Sequence, residues 1–292
     1  MLIRPSDGAL IDHWSGYRGP GDWIARLGVA LSDPVTETDR RARFQQQPSA
    51  NDALALARLA DARKDWGESA RWIREAGRVE PRLRAEHAVD LLFAMARGVP
   101  NRDFTVAQVL GQAAIVRDGA ATTPEAHLRA AAALADLAEQ QEDPAIVAPF
   151  LSKAMEASAS IQDPDLVALR AQLLVLEALH VAKDPVRAAA LKKDAMAPGW
   201  QESADGLNEY AWWCARQKVN LAEAEAFARR GVEKSEGGAA RAQVLDTLAE
   251  ILFLRGDREG AAATARQAVE MDPANPWYRK QVARFAGARS AR

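Results

Sequence analysis

A turn recurs along this chain at a nearly fixed interval. It falls at Asp65, Asp103, Asp143, Asp184, Asn220 and Asp257, with spacings of 38, 40, 41, 36 and 37 residues. Each turn lies between two alanine-rich apolar stretches of helical length. A period of this size means stacked supersecondary units, none of which can bury its apolar face alone, and here the unit is a helical hairpin. Such an array grows by adding units instead of cores. The 292 residues therefore read as one elongated structure, although length alone suggests about two domains. At Asp143-Pro144 and Asp184-Pro185 the turn carries its own helix start, because the carboxylate can accept free amide hydrogens of the first turn and the proline has none to lose.

Composition narrows the function classes. A net charge of −2 and a pI near 6.2 give no global attraction for nucleic acid or an anionic membrane, and neither is expected as a partner. No apolar run approaches the roughly 18 residues a span requires, and Met1-Leu2-Ile3-Arg4-Pro5 lacks a signal-peptide apolar region. The expected compartment is the cytoplasm, or the periplasm if the chain is part of a longer product. Cys214 is the single cysteine, which excludes an intramolecular disulfide and a Cys-x-x-Cys redox pair. Its neighbours Trp212 and Trp213 point to a buried apolar role over a reactive thiol. The histidines, at 13, 87, 127 and 180, have no ligand spacing, so neither a metal nor another cofactor is expected. There is no Gly-rich phosphate loop, Gly-x-Ser-x-Gly elbow or His-Glu-x-x-His. A non-catalytic protein is the expectation.

The last unit is the most regular. Leu248, Ala249 and Leu252 share one helical face, Arg255-Gly256-Asp257 makes the turn, Ala261, Ala265 and Ala268 share a face of the next helix, and Asp272-Pro273 closes it. Small residues there let the helices approach closely. Over residues 242–275 the sequence resembles the tetratricopeptide repeat (TPR) at its large-small-large triplet, its Gly-Asp turn, its alanines and its terminal proline. The same frame gives Leu56, Ala57, Ala60, Asp65-Trp66, Ile73, Ala76 and Pro81 upstream, then Leu134, Ala135, Ala138 and Ala154. At 204–236 it gives Leu207, Ala211, Asn220, Ala224 and Ala228, and Gly237-Gly238 then ends the helix. Two units are degenerate. The one at 82–118 keeps Asp103-Phe104, Ala107 and Ala114 but puts Gly98 and Pro100 where its first helix should still run; the one at 163–196 has Leu176 at a small-residue position. Asn275 and Pro276 start a further helix, read as a cap, with Arg279, Lys280, Arg284, Arg289 and Arg292 as a solvated basic end.

Residues 1–32 stand apart. Leu2-Ile3-Arg4-Pro5, Ser6-Asp7-Gly8 and Ala9 to Trp14 read as a β-hairpin, Gly16 to Gly21 breaks the chain, and Trp23 to Leu27 begins a helix. The order looks like the last third of a thioredoxin fold, with Asp7-Gly8 and Gly16 at its turn and its closing glycine. Together with the TPR-like region and Asn208-Glu209-Tyr210-Ala211-Trp212, this resembles a group of bacterial thioredoxin-family proteins, but the Cys-x-x-Cys motif and the strands before it are absent. A two-stranded hairpin is marginal alone, so this piece must dock on the first helices, pair with another chain, or be the stump of a longer product.

The expected fold is mainly α: a right-handed α-solenoid of about six TPR-like hairpins plus a capping helix, preceded by a short β-hairpin and helix. The expected organisation is 1–32 as the thioredoxin-tail-like piece, 33–49 as a linker helix, 50–275 as the array and 276–292 as cap and basic tail. The TPR resemblance implies that the first helix of each unit lines a concave groove, with exposed positions at Leu54, Arg58 and Asp61; Ala132, Asp136 and Glu139; Leu173, Glu177 and His180; Glu209, Trp213 and Arg216; and Asp246, Glu250 and Phe253. Seven of these fifteen are acidic against two arginines. An acidic groove with aromatic anchors at Trp213 and Phe253 suits a basic or amphipathic peptide, while the plainer reading of the same acids is solubilising charge. The Lys and Asn clamp that some family members use on acidic peptide ends is missing from these positions. The resulting expectation is a scaffold binding a protein or peptide, the alternative being the C-terminal portion of a thiol-disulfide oxidoreductase without its catalytic half. Oligomeric state cannot be read from these residues.

Overall fold

The recurring aspartate stands where one helix stops and the next starts. The computed structural model describes residues 2–4, 8, 10–12, 20–120 and 122–287. Pro5, Ser6, Asp7, Ala9, His13, Trp14, Gly16, Arg289 and Arg292, on which parts of the sequence reading fall, lie outside them. Strands β1 (Leu2–Ile3) and β2 (Leu10–Asp12) are followed by α1 (Pro20–Ser32), α2 (Glu37–Gln46), α3 (Ala50–Ala62), α4 (Trp66–Val79), the single turn α5 (Leu83–Glu86), α6 (Ala88–Gly98), α7 (Val106–Asp118) and α8 (Pro124–Gln140). Then come α9 (Ala148–Ala157), α10 (Pro164–His180), α11 (Pro185–Asp194), α12 (Ala204–Gln217), α13 (Leu221–Lys234), α14 (Gly238–Leu254), α15 (Arg258–Met271) and α16 (Pro276–Gly287).

Just before each aspartate of the repeat the backbone turns left-handed. Lys64, Arg102, Glu142 and Lys183 have φ of 61°, 65°, 51° and 57°, and Gly256 has 92°. At four of these turns the next amide then donates back five residues, from Asp65 to the Ala60 carbonyl (2.9 Å), Asp103 to Gly98 (3.0 Å), Asp143 to Ala138 (2.9 Å) and Asp257 to Leu252 (2.9 Å), while Asp184 reaches back six, to Ala178 (2.8 Å). This is the Schellman closure, which satisfies carbonyls the ending helix would leave unpaired. The α12 helix closes likewise, with Lys218 at φ 55° and Val219 donating to Cys214 at 3.0 Å. The same aspartate side chains cap the following helix: Asp65, Asp184 and Asp257 accept the amide three residues on at 3.0, 2.9 and 2.8 Å. Asp143 accepts from Ala145 at 2.9 Å, opening a short 3-10 turn, Pro144–Ile146, ahead of α9. One residue ends a helix and begins another.

The cap also sets the register of the second helix. Buried residues fall four, eight and eleven positions beyond it: Ser69, Ile73 and Ala76; Val147, Leu151 and Ala154; Ala224, Ala228 and Gly231; Ala261, Ala265 and Ala268. These small or branched residues let neighbouring helices approach, and a Cβ at Gly231 would sit 3.0 Å from a Val244 methyl of α14 and 3.6 Å from Leu207 of α12. The unit at 82–118 departs from the sequence reading by two residues. Its cap is Thr105, with a full capping box to Gln108, so Val109, Ala113 and Val116 are buried, while Ala107 is exposed and Ala114 half-buried. Gly98 is required there because a Cβ would lie 2.8 Å from the Phe104 ring. In α11 only Ala188 of the three positions is buried.

Hairpins therefore form at α3–α4, α6–α7, α8–α9, α12–α13 and α14–α15, and at α10–α11 through Val175, Ala178 and Ala188. With the final helix α16, these six are the hairpins of the expected mainly α solenoid. The chain divides into two compact units, Met1–Leu173 and Leu174–Arg292. In the first, α4 and α8 both pack on α6; in the second, α12 and α13 pack on α14, and α15 packs on α16. The β-hairpin, which pairs Leu2 with Asp12 and Ile3 with Leu10, docks on α2. Ile11 is buried, and Arg4 donates to Asp39 at 3.0 Å.

An ion network joins α2 to the start of α3. Asp52, 1% exposed, accepts from Arg40 at 3.0 Å and from Arg43 Nε at 2.9 Å, and both arginines also reach Asp33. Burial pushes the Asp52 carboxyl up, but hydrogen bonds from Arg43 and Ser49 more than offset that and hold it below the usual range. Hydrogen bonding from Arg43 likewise lowers Asp33.

Two consequences can be measured. Gly256→Ala should destabilise the second unit by about 1–2 kcal/mol, since an L side chain strains a left-handed residue, and Lys64→Gly should instead hold or raise stability; chemical denaturation of both variants reads the signs. Asp52→Ala should cost about 1–3 kcal/mol, because buried Arg40 loses one of its two carboxylates and keeps Asp33. Because the folded pKa values of Asp33 and Asp52 are depressed, the wild type should keep this contribution above roughly pH 4 and lose it as pH falls further, and Asp52→Ala should flatten the acid limb of the melting profile.

Candidate functional site

The first helices of the hairpins carry every residue of the proposed groove. In the first unit α3 presents Arg58 and Asp61, both exposed, and α8 presents Asp136 and Glu139, also exposed. Between them lies Arg97 of α6, a residue the periodic reading left out because Gly98 and Pro100 obscured that helix. Its guanidinium is 3.9 Å from Asp61 and lies over the rings of Trp66 and Phe93, at 5.3 and 5.4 Å. Burial pushes the Asp61 carboxyl up, with Arg97 opposing the shift and Asp90 adding to it. Burial raises Asp136 too, opposed by the same Arg97 and reinforced by Glu139. A cleft of about 220 Å³ opens between α6 and α8, walled by Phe93 and Leu137 and rimmed by Arg97, Asp136 and Glu139.

The groove positions of the second unit are engaged within the chain. Glu177 sits 3.2 Å from Arg187 of its own hairpin, and Lys192 donates to Glu209 at 2.6 Å. His180 is half-buried, and burial lowers its pKa with help from Lys183. Trp213 is half-buried and packs against the α10–α11 core, stacked on Tyr210 at 6.1 Å. Its neighbour Trp212 is the more accessible ring, 41% exposed. Arg216 is exposed. The three positions on α14 meet the capping helix. Trp277 Nε1 donates to Asp246 at 2.9 Å, Arg284 pairs with Glu250, and Phe285 packs on Phe253 with ring centroids 5.0 Å apart. Burial raises the Asp246 carboxyl, partly offset by the Trp277 hydrogen bond. Helical spacing placed these residues on one face and carried no information about which of them the next helix would take.

Cys214 is fully buried. Burial raises its thiol to about 11. Next to it a polar network fixes the α12–α13 turn: the Tyr210 hydroxyl donates to Glu223 at 3.0 Å, Asn220 donates to the Tyr210 oxygen at 3.2 Å, and Lys193 donates to Glu223 at 2.5 Å. Among the described residues no three His, Cys, Asp or Glu side chains are grouped to hold a metal ion, and no helix is long and apolar enough to cross a membrane.

No protein-family model matches the sequence, and no curated protein matches it. Solved structures do. One is a tetratricopeptide repeat protein from Parabacteroides merdae, 14% identical, with 91% of this chain and 95% of that chain covered and a TM-score of 0.41.

The burial of Cys214 makes its chemistry a probe of the fold. In the native protein a thiol-specific chromogenic reagent should label it only slowly, because the nucleophile is the thiolate and a raised pKa with no access suppresses it. Labelling should become fast at the denaturant concentration that unfolds the second unit. Fast labelling of the native state would place Cys214 outside the core.

Proposed function

We propose that the chain is a non-catalytic, TPR-like scaffold that binds a basic or amphipathic peptide or protein segment along the first-helix face, with residues 50–275 as the working array and 276–292 as its cap. The observation that carries this reading is the pair Asp61 and Asp136. Both stand exposed on neighbouring first helices, Asp61 on α3 and Asp136 on α8, with Arg97 of α6 the one cation acting on both. Several exposed carboxylates on one face, sharing few cations, favour positive partners in encounter and in register. Together with Arg58, Asp90 and Glu139 the face of the first unit carries four acids and two arginines. In the second unit the expected ligand positions are spent on intramolecular partners, so the reading rests on α3, α6 and α8.

Binding of a basic peptide pool to the full chain, measured across a salt series, tests the proposal. Affinity should fall as the screening length shrinks from about 8 Å at physiological strength toward 3 Å at 1 M. An Asp61→Lys/Asp136→Lys/Glu139→Lys variant should bind weakly at all salt concentrations, while Glu177→Gln/Glu209→Gln should bind like wild type. Equal binding by the charge-reversed protein would reduce the acids to solubilising charge.

A further inference from the structure

The cleft between α6 and α8 has the dimensions of one side chain. Its apolar lining is Phe93, Ala96, Ala133 and Leu137, and its volume of about 220 Å³ is enough for the stem and head of one long residue. Arg97 stands at its rim, with its guanidinium over the rings of Trp66 and Phe93 and 3.9 Å from Asp61. Asp136 at the rim makes no hydrogen bond or ion pair among the described residues, and its only cationic influence is the distant Arg97.

The same chain shows, in its last hairpin, how such a place is filled. There a carboxylate and an aromatic ring on a first helix, Glu250 and Phe253, receive an arginine and a ring from α16. The Arg284 guanidinium lies 5.2 Å from the Phe253 centroid and 4.6 Å from that of Phe285. On α6 and α8, Phe93 and Asp136 offer a ring and a carboxylate with no such helix on them, the ring shared with Arg97 on one side and the carboxylate without a bonded cation among the described residues. A planar guanidinium suits both at once: it stacks on a ring face and presents a fork of donors to a carboxylate, which an ammonium does not.

We propose that the α6–α8 cleft receives an arginine side chain of a partner peptide, its guanidinium on Asp136 and its stem between Phe93 and Leu137. This rests on the reading of the array as a peptide-binding scaffold. Charge complementarity favours it, since the cleft is lined by Asp136 and Glu139 against the single Arg97.

The probe is a labelled synthetic peptide with the sequence of α16, Pro276 to Gly287, titrated into the full-length protein at low salt. Wild type should bind it, and Asp136→Asn, nearly isosteric at an exposed position, should weaken binding about tenfold, the scale of one charge-assisted contact. Phe93→Ala should do the same, with its melting profile recorded alongside. Replacing both peptide arginines by lysine keeps the charge and should cost several-fold. Glu250→Gln in the protein should change nothing. If the peptide binds but ignores Asp136→Asn, or binds equally with lysines, the cleft assignment is overturned and the scaffold reading stands. If it fails to bind wild type, the assignment is overturned as well, and the peptide-pool experiment decides the scaffold reading separately.

Discussion

The fold depends on a two-residue reversal in which a left-handed residue ends one helix and the next residue caps another. Ending a helix leaves carbonyls without partners, and starting one leaves amides without partners. Folding both deficits into Lys64-Asp65, Glu142-Asp143 or Gly256-Asp257 leaves no slack between helices, so the second returns immediately along the first. Register follows from that. Once the cap is placed, the residues four, eight and eleven positions on must be small or shapely enough to sit between helices, and they are. Where the cap moves to Thr105 the buried set moves with it, which shows that the turn dictates the packing pattern.

Carboxylates divide into two populations by what surrounds them. Asp33 and Asp52 are held ionised by Arg40, Arg43 and Ser49 and act as ties between the first helices. Asp61, Asp136 and Asp246 have fewer compensating partners, Arg97 near the first two and the Trp277 indole on the third, and are pushed the other way. The former stabilise the folded chain at neutral pH. The latter oppose it slightly there, and in binding proteins such groups are the ones that gain from a ligand of opposite charge. Both kinds read identically in a sequence.

What was legible from the residues was much of what local periodicity governs: six hairpins, the turns at Asp65 and Asp257, the capping role of Asp143 and Asp184, and the alanines at 249, 261, 265 and 268 as interhelical residues. Chemistry that depends on a partner far along the chain was not. Asp52 carries no mark that Arg40 will bury against it, and Asp246, Glu250 and Phe253 share a helical face without revealing that α16 lies on it. Arg97 was hidden for a local reason. Gly98 and Pro100 look like helix breakers, yet the glycine makes room for Phe104 and the chain still closes through Arg102 as the other units do.

The capping helix has an implication for how such an array can change length. Trp277, Arg284 and Phe285 are matched to Asp246, Glu250 and Phe253 as a lock is to its own key. A hairpin duplicated between α15 and α16 would set foreign side chains against those acids and strand the cap on an unmatched surface. A hairpin gained or lost upstream of α14 leaves that junction intact. Growth of this array, whether by natural duplication or by engineering, is thereby directed to positions upstream of α14.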